Sequence, residues 1–397
     1  MQIESYINFA KKFLVEKNAN IASILFFASF SIYLIPNLLG STFVMNELQN
    51  VVFYITLFAS LLISVKIFIL DEYSMLERLL LFLFLFLLFV IGKNSLSYNE
   101  FYYTFLILGA RDIKLEKILK WFLSIVILCT VIVILLSLFH VIPTLSVGRS
   151  NSSTLRLSLG HIYPTNLAAK CFYIALTYVS LKKFRLSISE FISLIAVTLI
   201  VYFITDTKLD TLLLILLIIS TFLRKWIFNI FSKLNYVYLS MVSIIFIFIN
   251  ILLAYFFNEG NIIFNKLNSI LSGRLFYGHK GFTDFNVTLL GQFIPQNGFG
   301  GLRRVSFKDY FFIDVSYVRL ILIDGLFIFF ISLLFFTALI KKFSKQQAYS
   351  LLLAMLFVFL SSAIDQHLWE YAYNIIFISF LTDNSFFKED ILNKQIS

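Results

Sequence analysis

Long apolar stretches recur through the whole 397-residue chain, and they limit its possible folds more than any other feature. A helix that crosses about 30 Å of hydrocarbon needs roughly 20 apolar residues. A charged fraction of 14% also excludes an ordinary soluble domain, in which about 25% of residues are charged. The sequence therefore predicts an all-α polytopic membrane protein, with residues 1–397 in a single bundle. The predicted spans are 21–38, 48–70, 75–92, 98–110, 117–141, 162–181, 187–204, 209–223, 234–257, 313–340, 347–364 and 366–382.

The predicted bundle thus has about twelve transmembrane helices, two of them unusually short. The stretch at 98–110 is shorter than the bilayer requires. The stretch at 209–223, with Lys208 and Asp210 at its mouth, fits a tilted, re-entrant or broken span.

Basic side chains gather in alternate connections, as the positive-inside rule requires of a protein with many spans. This pattern predicts a multi-pass protein of the cell (cytoplasmic) membrane with both termini cytoplasmic. It also explains the net charge of +10 and the pI near 9.3, so the lipid bilayer is expected as a partner and nucleic acid is not. The cytoplasmic set is Lys11, Lys12, Lys17, Lys66, Arg78, Arg111, Lys114, Lys117, Lys120, Lys182, Lys183, Arg185, Arg224, Lys225, Lys233, Lys341, Lys342, Lys345, Lys388 and Lys394, whereas the short opposite loops carry Lys93, Arg149, Arg156 and Lys208.

One long loop, 258–312, separates the ninth and tenth predicted spans. It contains eight glycines and few uninterrupted apolar runs. A structureless loop of this length is uncommon unless it is functional. We therefore expect short helices that cap the extracytoplasmic end of the bundle.

Two short polar segments lie at the predicted outer boundary of the membrane, where charges are costly and hence informative. In the segment 156–166, Arg156 can bind a phosphate, and His161 or Tyr163 can orient a sugar hydroxyl. The alternative is an interfacial loop with proline in the first helical turn. In the segment 205–210, Lys208 either faces a substrate or belongs to a solvated hairpin.

The large loop carries several arginines and a histidine. A guanidinium has a planar fork of donors that grips two phosphate oxygens at once, so these arginines suit a diphosphate-bearing substrate. Anionic lipid headgroups are the alternative ligand. The candidate residues are Arg274, His279, Arg303 and Arg304.

Carboxylates precede and follow the last predicted spans. On a helix, Asp314, Tyr317 and Asp324 project within a limited arc, because three and seven residues are close to whole turns. A carboxylate such as Asp314 can accept a proton from an attacking sugar hydroxyl. Near the C-terminus, Glu370 and its polar neighbours serve either a site or ordinary hydrogen bonding within the bundle.

Several other chemistries lack their motifs. The chain has no P-loop, no His-Glu-x-x-His, no Gly-x-Ser-x-Gly and no Asp-x-Asp pair of the kind that holds a metal-nucleotide sugar. Cys129 and Cys171 both fall in apolar runs and offer neither a disulfide framework nor a metal site. No cofactor or metal is therefore expected, and a lipid-linked sugar donor is favoured.

Read in order, these polar segments resemble the bacterial capsular, exopolysaccharide and O-antigen polymerases of the Wzy type, which are related to O-antigen ligases. The resemblance spans most of the chain but rests on short motifs, of which Ser-Gly-Arg in the large loop is the clearest. The family's Ser-Arg pair is replaced by Thr-Lys, which keeps the charge and loses the bidentate fork. The matching segments are Ser158–Asn166, Thr207–Lys208, Ser272–Arg274, Gly291–Gln292 with Gly298, Asp314–Tyr317 with Gly325, and Glu370 with Asn374.

The resemblance implies a GT-C-like, metal-independent glycosyltransferase of polysaccharide biosynthesis. Its substrates would be oligosaccharide repeat units on undecaprenyl pyrophosphate, joined at the outer face of the membrane, with chain-length regulator and flippase proteins as further partners. The resemblance implies that Asp314 is the base or an orienting residue and that Arg274, Lys208 and Arg156 neutralise the leaving diphosphate. Tyr317 and His279 would line the sugar site.

Three other functions remain open from the sequence. A ligase would share the site but transfer the glycan to a different acceptor. A flippase or transporter for the same lipid would distribute charges through a cavity at the membrane midplane. A receptor or scaffold would not require the arginines of the large loop to converge on one cavity.

Overall fold

The computed structural model describes residues 2–45, 48–149, 152–298 and 310–389. Helices dominate this part of the chain, and two strands, β1 Ser146–Arg149 and β2 Ser152–Leu157, pair in an antiparallel hairpin. A π-helical turn at Lys66–Leu70 continues the second helix, and 3-10 helices form at Ile376–Phe380 and Ser385–Phe387. The α-helices are α1 Gln2–Gly40, α2 Gln49–Val65, α3 Met75–Ser95, α4 Asn99–Gly109, α5 Leu115–Leu138, α6 Pro164–Leu181, α7 Ile188–Thr205, α8 Lys208–Phe222, α9 Arg224–Lys233, α10 Tyr236–Tyr255, α11 Ile262–Ile270, α12 Arg274–Asp284, α13 Ser316–Leu322, α14 Gly325–Lys345 and α15 Tyr349–Ser362.

Seven helices in the described ranges are long and apolar enough to cross a membrane. The helices α8 and α9 pass the same test together but are bent by 80° at their junction, which agrees with the broken span expected near 209–223. An all-α membrane protein is therefore confirmed, whereas the count of about twelve spans is not. The seven helices are Asn20–Gly40, Gln49–Leu70, Met75–Ser95, Leu115–Leu138, Ile188–Thr205, Tyr236–Tyr255 and Gly325–Lys345.

Part of the shortfall comes from apolar helices that are shorter than a full span and mostly buried by protein. The helix α4 has 11 residues and α15 has 14, and nearly all of their side chains are buried by neighbouring helices. The segment 313–340 is interrupted before Gly325, where α13 ends and α14 begins. Apolar runs of 10–14 residues commonly form core helices, and hydropathy alone does not separate these from membrane spans.

The predicted span at 366–382 is wrong, because this segment forms turns and a 3-10 helix. Irregular backbone at membrane depth is tolerated only where protein satisfies its polar groups. Here Lys342 Nζ donates to the carbonyls of Ser379, Phe380 and Thr382 at 2.8, 2.9 and 3.0 Å. Lys170 Nζ donates to the Ala372 carbonyl at 3.1 Å. These lysines replace the hydrogen bonds that a helix would have made internally.

The loops that matter for function meet at one end of the bundle, which we call the cavity end. In the described residues it is formed by the segments 139–149, 152–163, 206–207, 256–298, 310–315 and 363–375. The predicted long loop contains two short helices, α11 and α12, within its described part. The opposite end carries the basic connections, and there Glu389 bridges Arg185 and Arg224 at 3.2 and 2.6 Å.

Candidate functional site

A cavity of about 620 Å³ opens at the cavity end. Its wall comes from five stretches of the chain: the end of β2 with the β2–α6 connection, the α7–α8 junction, the region around α12, the segment before α13 and the segment after α15. The charged and aromatic side chains that line it are Arg156, Lys208, Arg274, Asp210, Asp314, Asp365, His367, Tyr163, Tyr277 and Tyr310.

The turn before Arg274 explains why this arginine begins a helix. Ser272 and Gly273 both have positive φ, at 55° and 88°, which reverses the chain after α11. Glycine adopts this conformation without strain. The Asn268 side chain then accepts hydrogen bonds from the amides of Leu275 and Phe276, both at 3.1 Å. The Ser-Gly-Arg motif thereby sets Arg274 at the first turn of α12.

The Arg274 guanidinium is held by the C-terminal end of α15. Its Nε donates to the Ile364 carbonyl, its Nη1 donates to the Leu271 carbonyl at 3.2 Å, and its Nη2 lies 3.6 Å from Asp365 Oδ1. Burial opposes its charge, but Asp314, Asp365 and other carboxylates outweigh burial and raise the pKa of Arg274. The side chain is therefore a fixed cation with 10% of its surface exposed.

Two further cations reach the same cavity from different elements. Arg156, on β2, is buried, donates from Nε to the Thr205 carbonyl at 2.8 Å and lies 5.5 Å from the Tyr163 ring centroid. Lys208 is the first residue of α8 and is exposed. Lys208 and Arg274 share one cavity, although two spans separate them in the sequence.

Carboxylates counter these cations. Burial raises the pKa of Asp314, against the opposing effect of Arg274, Arg319 and His367. Burial also raises the pKa of Asp365 well above its usual value, because nearby Asp210 adds to the effect. The cavity wall therefore mixes fixed positive charges with carboxyl groups that take up protons more readily than in water.

Four predicted site residues lie outside the cavity wall. His161 is buried, its backbone pairs with Thr42, and burial lowers its pKa to about 4, so it is a neutral core side chain. Tyr317 is fully buried and donates to the Phe359 carbonyl at 2.7 Å. His279 Nδ1 lies 3.0 Å from the Tyr255 carbonyl oxygen. Glu370 contacts the cavity only through His367.

These placements correct the sequence interpretation that gave His161, Tyr317 and His279 direct substrate contacts. Each has its polar atoms or its ring packed against the bundle instead. The predicted binding residues Arg303 and Arg304 lie outside the described residues. From the sequence, Asp365 and His367 stay open between a site and ordinary hydrogen bonding within the bundle, and there is no signal for Tyr277 or Tyr310.

Within the described ranges, no group of three His, Cys, Asp or Glu side chains could hold a metal ion. Comparisons with known proteins assign no role to these residues. No family model, curated protein or solved structure matches the chain.

Proposed function

We propose that the protein is a polysaccharide polymerase, a glycosyltransferase that joins undecaprenyl-pyrophosphate-linked oligosaccharide repeat units at the outer face of the cell membrane. One observation carries the proposal: Arg156, Lys208 and Arg274 converge on a single cavity that also contains Asp314. All four are residues that the sequence predicts for the site. Convergence is what a shared diphosphate requires and what scattered contacts to lipid headgroups would not produce.

The cations suit the leaving group of this reaction. When a glycosyl phosphate bond breaks, negative charge develops on the diphosphate, and preorganised donors in a water-poor site stabilise it strongly. Arg274 offers a rigid planar fork, and Lys208 offers a mobile point charge at the cavity mouth. In this proposal Asp314 and Asp365 orient Arg274, and the tyrosines of the wall contact the sugars.

The location of the cavity suits a substrate with a lipid tail. The cavity lies among the ends of membrane helices, so a diphosphate at the headgroup level can enter while its polyprenyl chain stays in the bilayer. The basic connections at the opposite end support a cavity that faces outward under the positive-inside rule. A GT-C-like fold with cytoplasmic termini, and assembly with chain-length regulator and flippase proteins, belong to the same proposal.

The test is incubation of the purified protein in detergent with a synthetic undecaprenyl-pyrophosphate oligosaccharide from the host pathway. Mass analysis of the glycans should show a ladder spaced by whole repeat units. Transport of the same lipid across sealed liposomes, without a ladder, would instead identify a transporter and refute the proposal. A single transfer to a different acceptor would identify a ligase.

A further inference from the structure

A histidine and a glutamate form a close pair in the wall of the cavity. His367 lines the cavity, and its Nδ1 lies 2.7 Å from Glu370 Oε2. The two residues are three apart in the irregular segment that follows α15, where both backbone and side chains are held by the bundle. No role has been given to this pair so far.

Aromatic packing fixes the His367 ring. The ring stacks on Tyr373 with a centroid distance of 3.7 Å and an interplanar angle of 11°. Tyr173 meets it edge-on at 6.3 Å and is itself hydrogen-bonded to Ser361 at 3.1 Å. Only 6% of the His367 side chain is exposed, so its packing restricts the orientations of the imidazole at the cavity wall.

The partner of Nδ1 sets the role of the other ring nitrogen. Burial opposes ionisation of Glu370, yet His367, Arg319 and Lys170 outweigh it and lower the pKa of Glu370. A carboxylate in this position accepts a hydrogen bond from Nδ1–H, which leaves the lone pair on Nε2. In the part of the chain that the structure describes, no hydrogen bond engages Nε2.

We propose that Nε2 of His367 accepts the proton of the attacking sugar hydroxyl and that Glu370 is its positioning residue; this inference rests on the proposed function. The acceptor oxygen forms a bond to the anomeric carbon of the donor sugar as the bond from that carbon to the phosphate oxygen breaks. The diphosphate leaves with the bonding electron pair, and the hydroxyl proton moves to Nε2. The imidazolium then returns the proton to the departing diphosphate or to water.

Asp314 is less suited to this step. Burial raises the pKa of Asp314, but its carboxylate lies close to the Arg274 guanidinium, whose positive charge opposes proton uptake by Asp314. An imidazole titrates close to neutral pH, where a general base is most effective. Asp314 therefore serves better as a counter-charge that holds Arg274 in place.

Charged groups from three parts of the chain surround His367. Glu370 and Asp365 come from its own segment, and Asp314 comes from the segment before α13. From α6, Lys170 Nζ lies 3.4 Å from the centroid of the Tyr373 ring on which His367 stacks. Of these groups, Glu370 is the one in direct contact with the imidazole, so its charge should influence the imidazole most.

The experiment uses the full-length protein and the ladder assay described above. His367→Ala should lower the polymerisation rate by about 100-fold or more, as loss of a general base does. Free imidazole should restore part of that rate, because a small base can enter the space left by the ring. His140→Ala is the matched control, since this histidine is exposed and lies outside the cavity wall, and it should keep the wild-type rate.

A second variant separates proton transfer from packing. Glu370→Gln retains an oxygen for Nδ1–H but removes the negative charge that favours protonated imidazole. The acid limb of the rate–pH profile should therefore move to lower pH, whereas a purely structural role would leave its midpoint unchanged. A wild-type rate in His367→Ala, or no imidazole rescue together with an unmoved acid limb in Glu370→Gln, would overturn the inference. Failure of the wild-type protein to make any ladder would instead refute the proposed function.

Discussion

Replacing Arg274 by lysine tests the central assignment while retaining its positive charge. A guanidinium has five N–H donors. Three of them face the Ile364 carbonyl, the Leu271 carbonyl and Asp365, which leaves one N–H on each terminal nitrogen for a substrate. Two parallel donors of this kind match two phosphate oxygens. Lysine has no planar fork and cannot reproduce this arrangement.

The expected magnitude follows from these two donors. Removing one preorganised donor to a developing oxyanion costs roughly 2.7–4 kcal/mol, or about 100- to 1,000-fold in kcat. Arg274→Lys loses at least one such donor, so we expect kcat for polymerisation to fall by about 100-fold. Lysine is preferred to alanine because alanine would leave Asp365 and its neighbours without a cation, and uncompensated buried charge destabilises a fold by about 3–5 kcal/mol.

The assay is the initial rate of ladder formation at equal amounts of folded protein, with thermal unfolding in detergent measured in parallel. Arg185→Lys is the matched control, because this arginine pairs with Glu389 at the opposite end of the bundle. Its rate should equal that of the wild type. An Arg274→Lys variant that polymerises at the wild-type rate would refute the assignment of Arg274 to the leaving diphosphate.

Three further variants test the cavity mouth and the supports of the fold. Lys208→Gln should raise KM by about tenfold, because one hydrogen bond to a charged group is worth roughly 1.5 kcal/mol or more. Its control, Lys266→Gln on the exposed face of α11, should leave KM unchanged. Lys342→Met should lower the free energy of unfolding by about 3 kcal/mol or more in a denaturation assay, because three backbone carbonyls lose their donor. Gly325→Ala should lower the melting temperature, since φ is +89° and a Cβ would overlap a neighbouring backbone nitrogen, whereas Gly148→Ala meets nothing within 4 Å and should have little effect.

Hydropathy predicted the lipid-facing helices because their apolar surfaces and lengths are set by the bilayer. It failed at 366–382, where an equally apolar composition forms irregular structure buried within protein. Neither the length nor the periodicity of an apolar segment shows whether lipid or protein surrounds it. Only the packing of neighbouring helices decides between lipid contact and core.

The site was partly predictable for a different reason. Arg156 and Lys208 are charges on the side of the membrane that the positive-inside rule leaves poor in cations. Arg274 belongs to a Ser-Gly-Arg motif. All three residues line the cavity. His161 is also polar and lies in the same segment as Arg156, yet its side chain is a neutral core group outside the cavity wall. A sequence shows which residues are polar, but the direction in which each side chain points depends on tertiary contacts.

The mistaken span at 366–382 and the position of His367 in the cavity wall have one physical cause. A regular helix after α15 would satisfy its own carbonyls, but here the Ile364 carbonyl accepts a hydrogen bond from Arg274 and the next residues turn to line the cavity. Unwinding this segment leaves backbone carbonyls that need donors from elsewhere in the protein. Lys170 in α6 and Lys342 in the last turn of α14 supply such donors. Buried charged residues of a membrane protein are first candidates for substrate contact. In this protein these two lysines instead stabilise the irregular backbone that carries the site.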